Sequence, residues 1–241
     1  MFKYFFCCLI LFAVEFSVAQ STHTSFKHLS LKEGLSQSPV FALLQDKKGF
    51  VWIGNREGLI RFDGYDFKKY INTKIARQNT IHNDIRSIYE DRYSNLWIGT
   101  PAGVYEFNPG TETFTAITFG DLPLVYSIIP DGEKIWVATS LGLRLIDTKT
   151  KKILPVNLKG PGSLQIKSGW VSSLYLDKLH NILWVGSNKG VSCLNTVTNQ
   201  TRALPGCLKN DFALNNSRIF TIKQDKEGDL WFGTFLISAK R

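Results

Sequence analysis

Tryptophan recurs at positions 52, 97, 136, 184 and 231, at intervals of 45, 39, 48 and 47 residues. A period of that length means an array of small, similar units, each too small to bury its own apolar face. The segments around the tryptophans align: VFALLQDKKGFVWIGN, IRSIYEDRYSNLWIGT, VYSIIPDGEKIWVATS, VSSLYLDKLHNILWVGS and IFTIKQDKEGDLWFGT. In each, an aliphatic residue (Val40, Ile85, Val125, Val171, Ile219) stands six positions before an aspartate (Asp46, Asp91, Asp131, Asp177, Asp225). The tryptophan follows that aspartate by five to seven residues.

Each unit reads as strands. The first run alternates apolar and other residues and stops at Asp among Gly, Asn or Lys, which is strand and then turn chemistry. The second, VWIG or LWIG in its clearest forms, is nearly continuous in apolar character, as a strand buried on both faces must be. Gly58, Gly103, Gly142 or Gly190 leads into a third strand, and a weaker fourth follows near Phe67, Phe114, Ile153 and Thr201. Four antiparallel strands per 40 to 50 residues make a propeller blade. The expected fold is all-β: a β-propeller of four-stranded antiparallel blades, incomplete, with four blades and half of a fifth. The expected boundaries are blade 1 over 36–80, blade 2 over 81–121, blade 3 over 122–166, blade 4 over 167–214 and a partial blade 5 over 215–241. A sandwich has no reason to repeat one Trp at this interval, and the coils of a β-helix are shorter.

The N-terminus reads differently. Residues 1–19, MFKYFFCCLILFAVEFSVA, combine Lys3, an apolar run from Tyr4 to Val14 and small residues up to Ala19. That is the pattern of a secretory signal peptide, cleaved near Ala19, with a run too short to span a bilayer. Glu15 is atypical for such a segment, so an uncleaved anchor is the alternative. Residues 20–35 then form an N-terminal segment in which Phe26 to Leu29 would supply an outer closing strand. Lys3 and Glu15 would leave together, so the formal charge of +9 survives cleavage. In an exported chain, periplasmic or secreted, that charge suits anionic glycans, lipid head groups or an acidic protein face better than nucleic acid. Cys7 and Cys8 leave with the leader. Cys193 and Cys207 remain, either as buried thiols or as one bridge, and neither has metal-ligand spacing.

The units resemble the two-component regulator propeller repeat: an aliphatic strand, Asp, Gly, Trp-Ile-Gly-Thr, then Gly-Leu and an Arg-Phe-Asp-like end. The stretch FKHLSLKEGLSQSPVFALLQDKKGFVWIGNREGLIRFDGYDFKKY is similar to the start of the extracytoplasmic sensor region of hybrid two-component sensor histidine kinases. The resemblance covers residues 26 to 234 and implies an oligosaccharide-sensing receptor whose kinase lies beyond this stretch. After Thr234 the pattern calls for two residues and Gly-Leu, whereas the sequence reads FLISAKR. The expectation is therefore a truncated sensor fragment with open sheet edges, prone to self-association.

Chemistry is sparse. No nucleophile elbow, zinc-binding helix, phosphate loop or dinucleotide fingerprint occurs, and no cofactor or metal is expected. The five register aspartates and five register tryptophans (Trp52, Trp97, Trp136, Trp184, Trp231) repeat in step, as turn-forming and packing residues do, whereas a catalytic group is needed once or twice. Binding has the better argument. The loop entering strand one and the loop joining strands two and three share a face of the disc, and they vary from unit to unit as a recognition surface does. The candidates there are Asn55, Arg56, Asn83, Lys167, Trp170, Asn188, Lys189 and Arg218, with Gln37, Ser38, His82, Asp84 and Asn216 on the same face. Trp170, out of register, either stacks on a sugar ring or plugs the blade end. Arg56 and Lys189 occupy equivalent positions and would make the ligand anionic if they share it. The rival readings are a secreted propeller enzyme acting on glycans and a protein-interaction scaffold.

Overall fold

The computed structural model describes residues 35, 39–71, 83–117, 120–121, 123–160, 166, 169–202, 204, 214 and 216–234. The leader, the Phe26 to Leu29 segment, Gln37, Ser38, His82, Lys167 and Cys207 lie outside them. Eighteen strands occur among the described residues. Strands β1 (Ala42–Gln45), β2 (Val51–Asn55), β3 (Gly58–Phe62) and β4 (Phe67–Tyr70) form the first sheet in chain order. The second holds β5 (Ser87–Glu90), β6 (Leu96–Thr100), β7 (Gly103–Asn108) and β8 (Thr113–Ile117). The third holds β9 (Val125–Asp131), β10 (Lys134–Thr139), β11 (Gly142–Asp147) and the short β12 (Ile153–Leu154). The fourth holds β13 (Val171–Asp177), β14 (Ile182–Ser187), β15 (Gly190–Asn195) and β16 (Gln200–Arg202), and the fifth β17 (Ile219–Gln224) and β18 (Leu230–Thr234). Neighbours within every sheet are antiparallel.

Successive sheets pack face to face, with the first strand of each against the first strand of the next. This is an all-β, incomplete propeller architecture: four four-stranded sheets and two strands of a fifth among the described residues. The core lies between sheets. Trp52, Leu59 and Tyr70 meet Ile85, Leu96, Ile98 and Phe107 of the second sheet. Trp97 and Val104 meet Val125, Ile135 and Val137 of the third, Trp136 and Leu145 meet Val171, Leu174 and Leu183 of the fourth, and Trp184 and Cys193 meet Ile219 and Ile222 of the fifth. Each of these four indoles is thus covered by the following sheet. Trp231 has no such cover among the described residues and is 66% exposed, against 0% for Trp97.

The glycine after each tryptophan has a steric reason. A Cβ on Gly54 would sit 2.6 Å from Ile85 Cγ2, one on Gly99 2.5 Å from Val125 Cγ1, and one on Gly186 2.8 Å from Ile219 Cγ2. All are far inside van der Waals contact, so the aliphatic residues that open the second, third and fifth units rest on the bare backbone of the unit before. In the third sheet Ala138 takes the glycine's place and shares a cluster with Val171.

The aspartates hold the hairpin turns and the indoles together. Asp46 Oδ1 accepts from the Lys48 and Phe50 amides (both 2.9 Å) while Oδ2 accepts from Trp52 Nε1 at 2.7 Å. Asp91 repeats this with Tyr93, Asn95 and Trp97, and Asp131 and Asp225 bond Trp136 and Trp231 at 3.0 and 2.6 Å. Register explains how sequence spacings of five, six and seven give one geometry. The residue paired across the ladder from each tryptophan (Leu44, Tyr89, Ile129, Tyr175, Lys223) lies two positions before the aspartate. The two side chains are therefore diagonal neighbours on one face, and only the turn between them changes length. Sheet four departs: Asp177 bonds the His180 amide (3.1 Å) and ring Nδ1 (2.7 Å), and Trp184 Nε1 is buried without an acceptor.

Candidate functional site

The aliphatic that opens each unit, buried in every unit but the first, where Val40 is exposed, fixes the backbone at one end of the array, and its two flanking residues stand beside it. Before it stand Pro39, Asp84, Leu124, Trp170 and Arg218; after it stand Phe41, Arg86, Tyr126, Ser172 and Phe220. Because first strands adjoin, side chains from different sheets meet there. Tyr126 of sheet three stacks on Trp170 of sheet four, with centroids 5.3 Å apart and planes 30° from parallel. The Arg218 guanidinium carbon lies 3.8 Å from the Trp170 ring centroid and 4.7 Å from that of Phe220. Arg86 lies 4.1 Å above Phe41 and bonds Asp84 Oδ2 at 2.5 Å.

The electrostatics are lopsided. Arg86 has a carboxylate partner, whereas Arg218 lies on two aromatic rings and is in no ion pair among the described residues, and its Nε is buried without an acceptor. Trp170 Nε1 is likewise buried and unsatisfied. Burial pushes the Tyr126 hydroxyl above its ordinary pKa, and the positive charges of Arg218 and Arg86 oppose that rise. Two guanidinium groups from sheets two and five therefore act on one phenol of sheet three. A planar cation held on aromatic rings keeps its N–H edge available for a carboxylate, sulfate or sugar hydroxyl.

The sequence candidates are placed unevenly. Trp170 and Arg218 come together. Asn188 donates its amide to the Trp170 carbonyl at 3.1 Å, and Lys189 beside it is exposed. Arg56 is exposed, 5.9 Å from the Phe41 centroid, and it is the equivalent of Asn188, not of Lys189 as the spacing suggested, because Asn55 pairs with Gly58 as Ser187 does with Gly190. Asn55 is fully buried: its carbonyl accepts from the Ile85 amide and its side-chain oxygen from the Glu57 amide, so it shapes the turn. Asn83 is half-buried. Tyr126, Arg86, Phe41 and Phe220 are additions to the sequence candidates. Reading the column next to each opening aliphatic, which holds Phe, Arg, Tyr, Ser and Phe, would have found them. Among the described residues no cluster of three or more His, Cys, Asp or Glu side chains could hold a metal.

The pattern of the family described as "Two component regulator propeller" matches residues 34–57, 80–102 and 213–235, which hold the Asp46–Trp52, Asp91–Trp97 and Asp225–Trp231 turns. Three of the five units thus match the two-component regulator propeller repeat. A histidine kinase P4 of Formosa agariphila is 48% identical over 54 residues, 22% of this chain and 4% of that protein. The extracellular domain of a hybrid two-component system from B. thetaiotaomicron superposes with a TM-score of 0.67 at 25% identity, over 86% of this chain and 29% of the other. A second such domain from that organism gives 0.61 at 23%, over 82% and 28%, a likeness of fold. The chain spans under a third of the length of those two solved domains.

Proposed function

We propose that this chain is the ligand-sensing propeller of an extracytoplasmic two-component receptor, a periplasmic or secreted segment after loss of its leader, and that it binds rather than transforms its ligand. The repeats and the extracellular domains that share their fold support the receptor reading. The ligand reading rests on one observation, the Arg218 guanidinium 3.8 Å over Trp170 and in no ion pair among the described residues. An oligosaccharide with an anionic substituent suits that arrangement. Its acid group takes the Arg218 edge, its ring lies on Phe220, which is exposed, and Tyr126, Asn188 and Lys189 supply hydrogen bonds. Trp170, with Tyr126 and Arg218 already against its ring, orients the cation.

The test is a glycan array probed with the full chain, followed by titration of whatever is bound. Arg218→Gln and Trp170→Ala should each weaken binding by about ten-fold or more, the scale of one charge-assisted contact. Absence of binding to every neutral and anionic oligosaccharide, or turnover of a bound one, would overturn the reading.

A further inference from the structure

A cavity of about 270 Å³ opens between the first and second sheets, at the end carrying the β1–β2 and β7–β8 turns, away from Trp170. Phe50, Trp52 and Arg61 line it from one side and Tyr93, Asn95 and Asn108 from the other. Its carboxylates are committed. Asp46 serves its own turn and Trp52, and Glu90 Oε2 accepts from the Lys47 amide at 2.9 Å. Arg61 is not committed: its guanidinium lies 4.6 Å over the Phe50 ring, its Nε is buried without a partner, and it is in no ion pair among the described residues.

The repeat shows what normally fills this place. Arg61 pairs across the ladder with Trp52, and the same register puts Glu106 opposite Trp97, Leu145 opposite Trp136 and Cys193 opposite Trp184. Leu145 and Cys193 pack into apolar clusters with the next sheet. Glu106, 5% exposed, forms an ion pair with Lys151 in the third-to-fourth-strand turn of sheet three. The residue at that turn position in sheet two is Glu112, and both adopt a left-handed conformation, at φ 55° and 59°. A sign-reversed pair, Arg61 with Glu112, would thus have closed the first interface. Glu112 instead bonds Lys68 Nζ at 2.5 Å, and Arg61 faces a cavity.

We infer that this inter-sheet cleft is a second binding site, for a small hydroxylated carboxylate of about one sugar ring, a uronic acid in size and charge. A guanidinium stacked on an aromatic ring presents a fork that matches a carboxylate in geometry as well as sign. The Phe50, Trp52 and Tyr93 rings flank the space an apolar ring face would take, and the Asn95 side chain suits hydroxyls. The volume sits below the roughly 300–1,000 Å³ of drug-sized pockets, which limits the occupant to a monosaccharide.

Trp52 lines the cavity and its indole N–H is bonded to Asp46, a second lining residue, so its ¹H–¹⁵N resonance is the reporter. Sodium D-glucuronate titrated into the full chain should shift it saturably, with the Trp97 and Trp136 resonances as controls for folding. D-glucose and sodium sulfate should leave it in place. Arg61→Gln should abolish the shift, Arg61→Lys should weaken affinity by about ten-fold through loss of the fork, and Arg218→Gln should change nothing here. An equal response to sulfate would leave only a generic anion site. That result, no response, or a response surviving in Arg61→Gln would each overturn the inference.

Discussion

Asp177 and Trp184 are diagonal neighbours on one sheet face, yet the carboxylate turns to His180 at 2.7 Å and the buried indole N–H has no acceptor. The other four register pairs are bonded at 2.6 to 3.0 Å. Competition within the turn, rather than lost register, separates them.

Removing the competitor should restore the pair. In His180→Ala the Asp177 carboxylate is free to accept from Trp184, and satisfying a buried donor offsets an exposed ion pair worth about 0–1 kcal/mol. Stability to urea should hold or rise, and the Trp184 indole proton should exchange more slowly with solvent. A loss above about 1 kcal/mol would count against this account. Asp91→Ala, by contrast, strips acceptors from two turn amides and a buried indole, and should cost about 2–4 kcal/mol.

Gly99 tests the close approach of sheets. A methyl there meets Ser87 Oγ at 2.3 Å and Val125 Cγ1 at 2.5 Å. Gly99→Ala should destabilise the chain by about 1–3 kcal/mol, the usual cost of overpacking. Gly99→Ala combined with Val125→Ala should recover part of that loss, read as non-additivity in the unfolding free energies.

Cys193 is a buried free thiol, and burial pushes its pKa up from the ordinary 9.0 to about 12. A group whose folded pKa is raised contributes stability that is whole below the unfolded value and fades as pH climbs toward the folded one. Denaturation midpoints should therefore fall between about pH 9 and 12 in the parent and fall less in Cys193→Ala. Native protein at pH 8 should not react with a thiol reagent at this site until it is unfolded.

Asp225 gives the opposite slope. The Trp231 indole N–H, then the turn amides, hold its carboxyl below the ordinary 3.8. Its contribution is complete above that value and is lost as pH falls through the depressed one. Trp231 is the exposed register indole, so its emission should be the most accessible to iodide, and it should change with acid at a lower pH than an unperturbed carboxyl would dictate. Trp231→Phe should remove the signal.

Strands and turns were legible because register enforces them five times over: Asp46 and Trp52 have counterparts in every later unit, and a repeated pattern is averaged against itself. The candidate site was legible only in part, for the converse reason. Trp170 stood out by being out of register, but Tyr126 and Phe220 sit inside strands, where an aromatic reads as ordinary sheet packing. Their juxtaposition depends on first strands from separate units meeting, which no single unit encodes. Asn55 looked like an exposed loop amide and is fully buried, since the following unit opens against its carbonyl. The unpaired Arg61 was invisible until Glu112 was seen bonded to Lys68.

The contact of Ile85 on Gly54, Val125 on Gly99 and Ile219 on Gly186 has a consequence for the spacing of the array. At three joints between neighbouring sheets the approach depends on an absent methyl group, and at the joint of the third and fourth sheets Ala138 carries one. Spacing between units is therefore sensitive to single side chains, and a glycine or alanine at one position per unit limits how closely the next unit can seat.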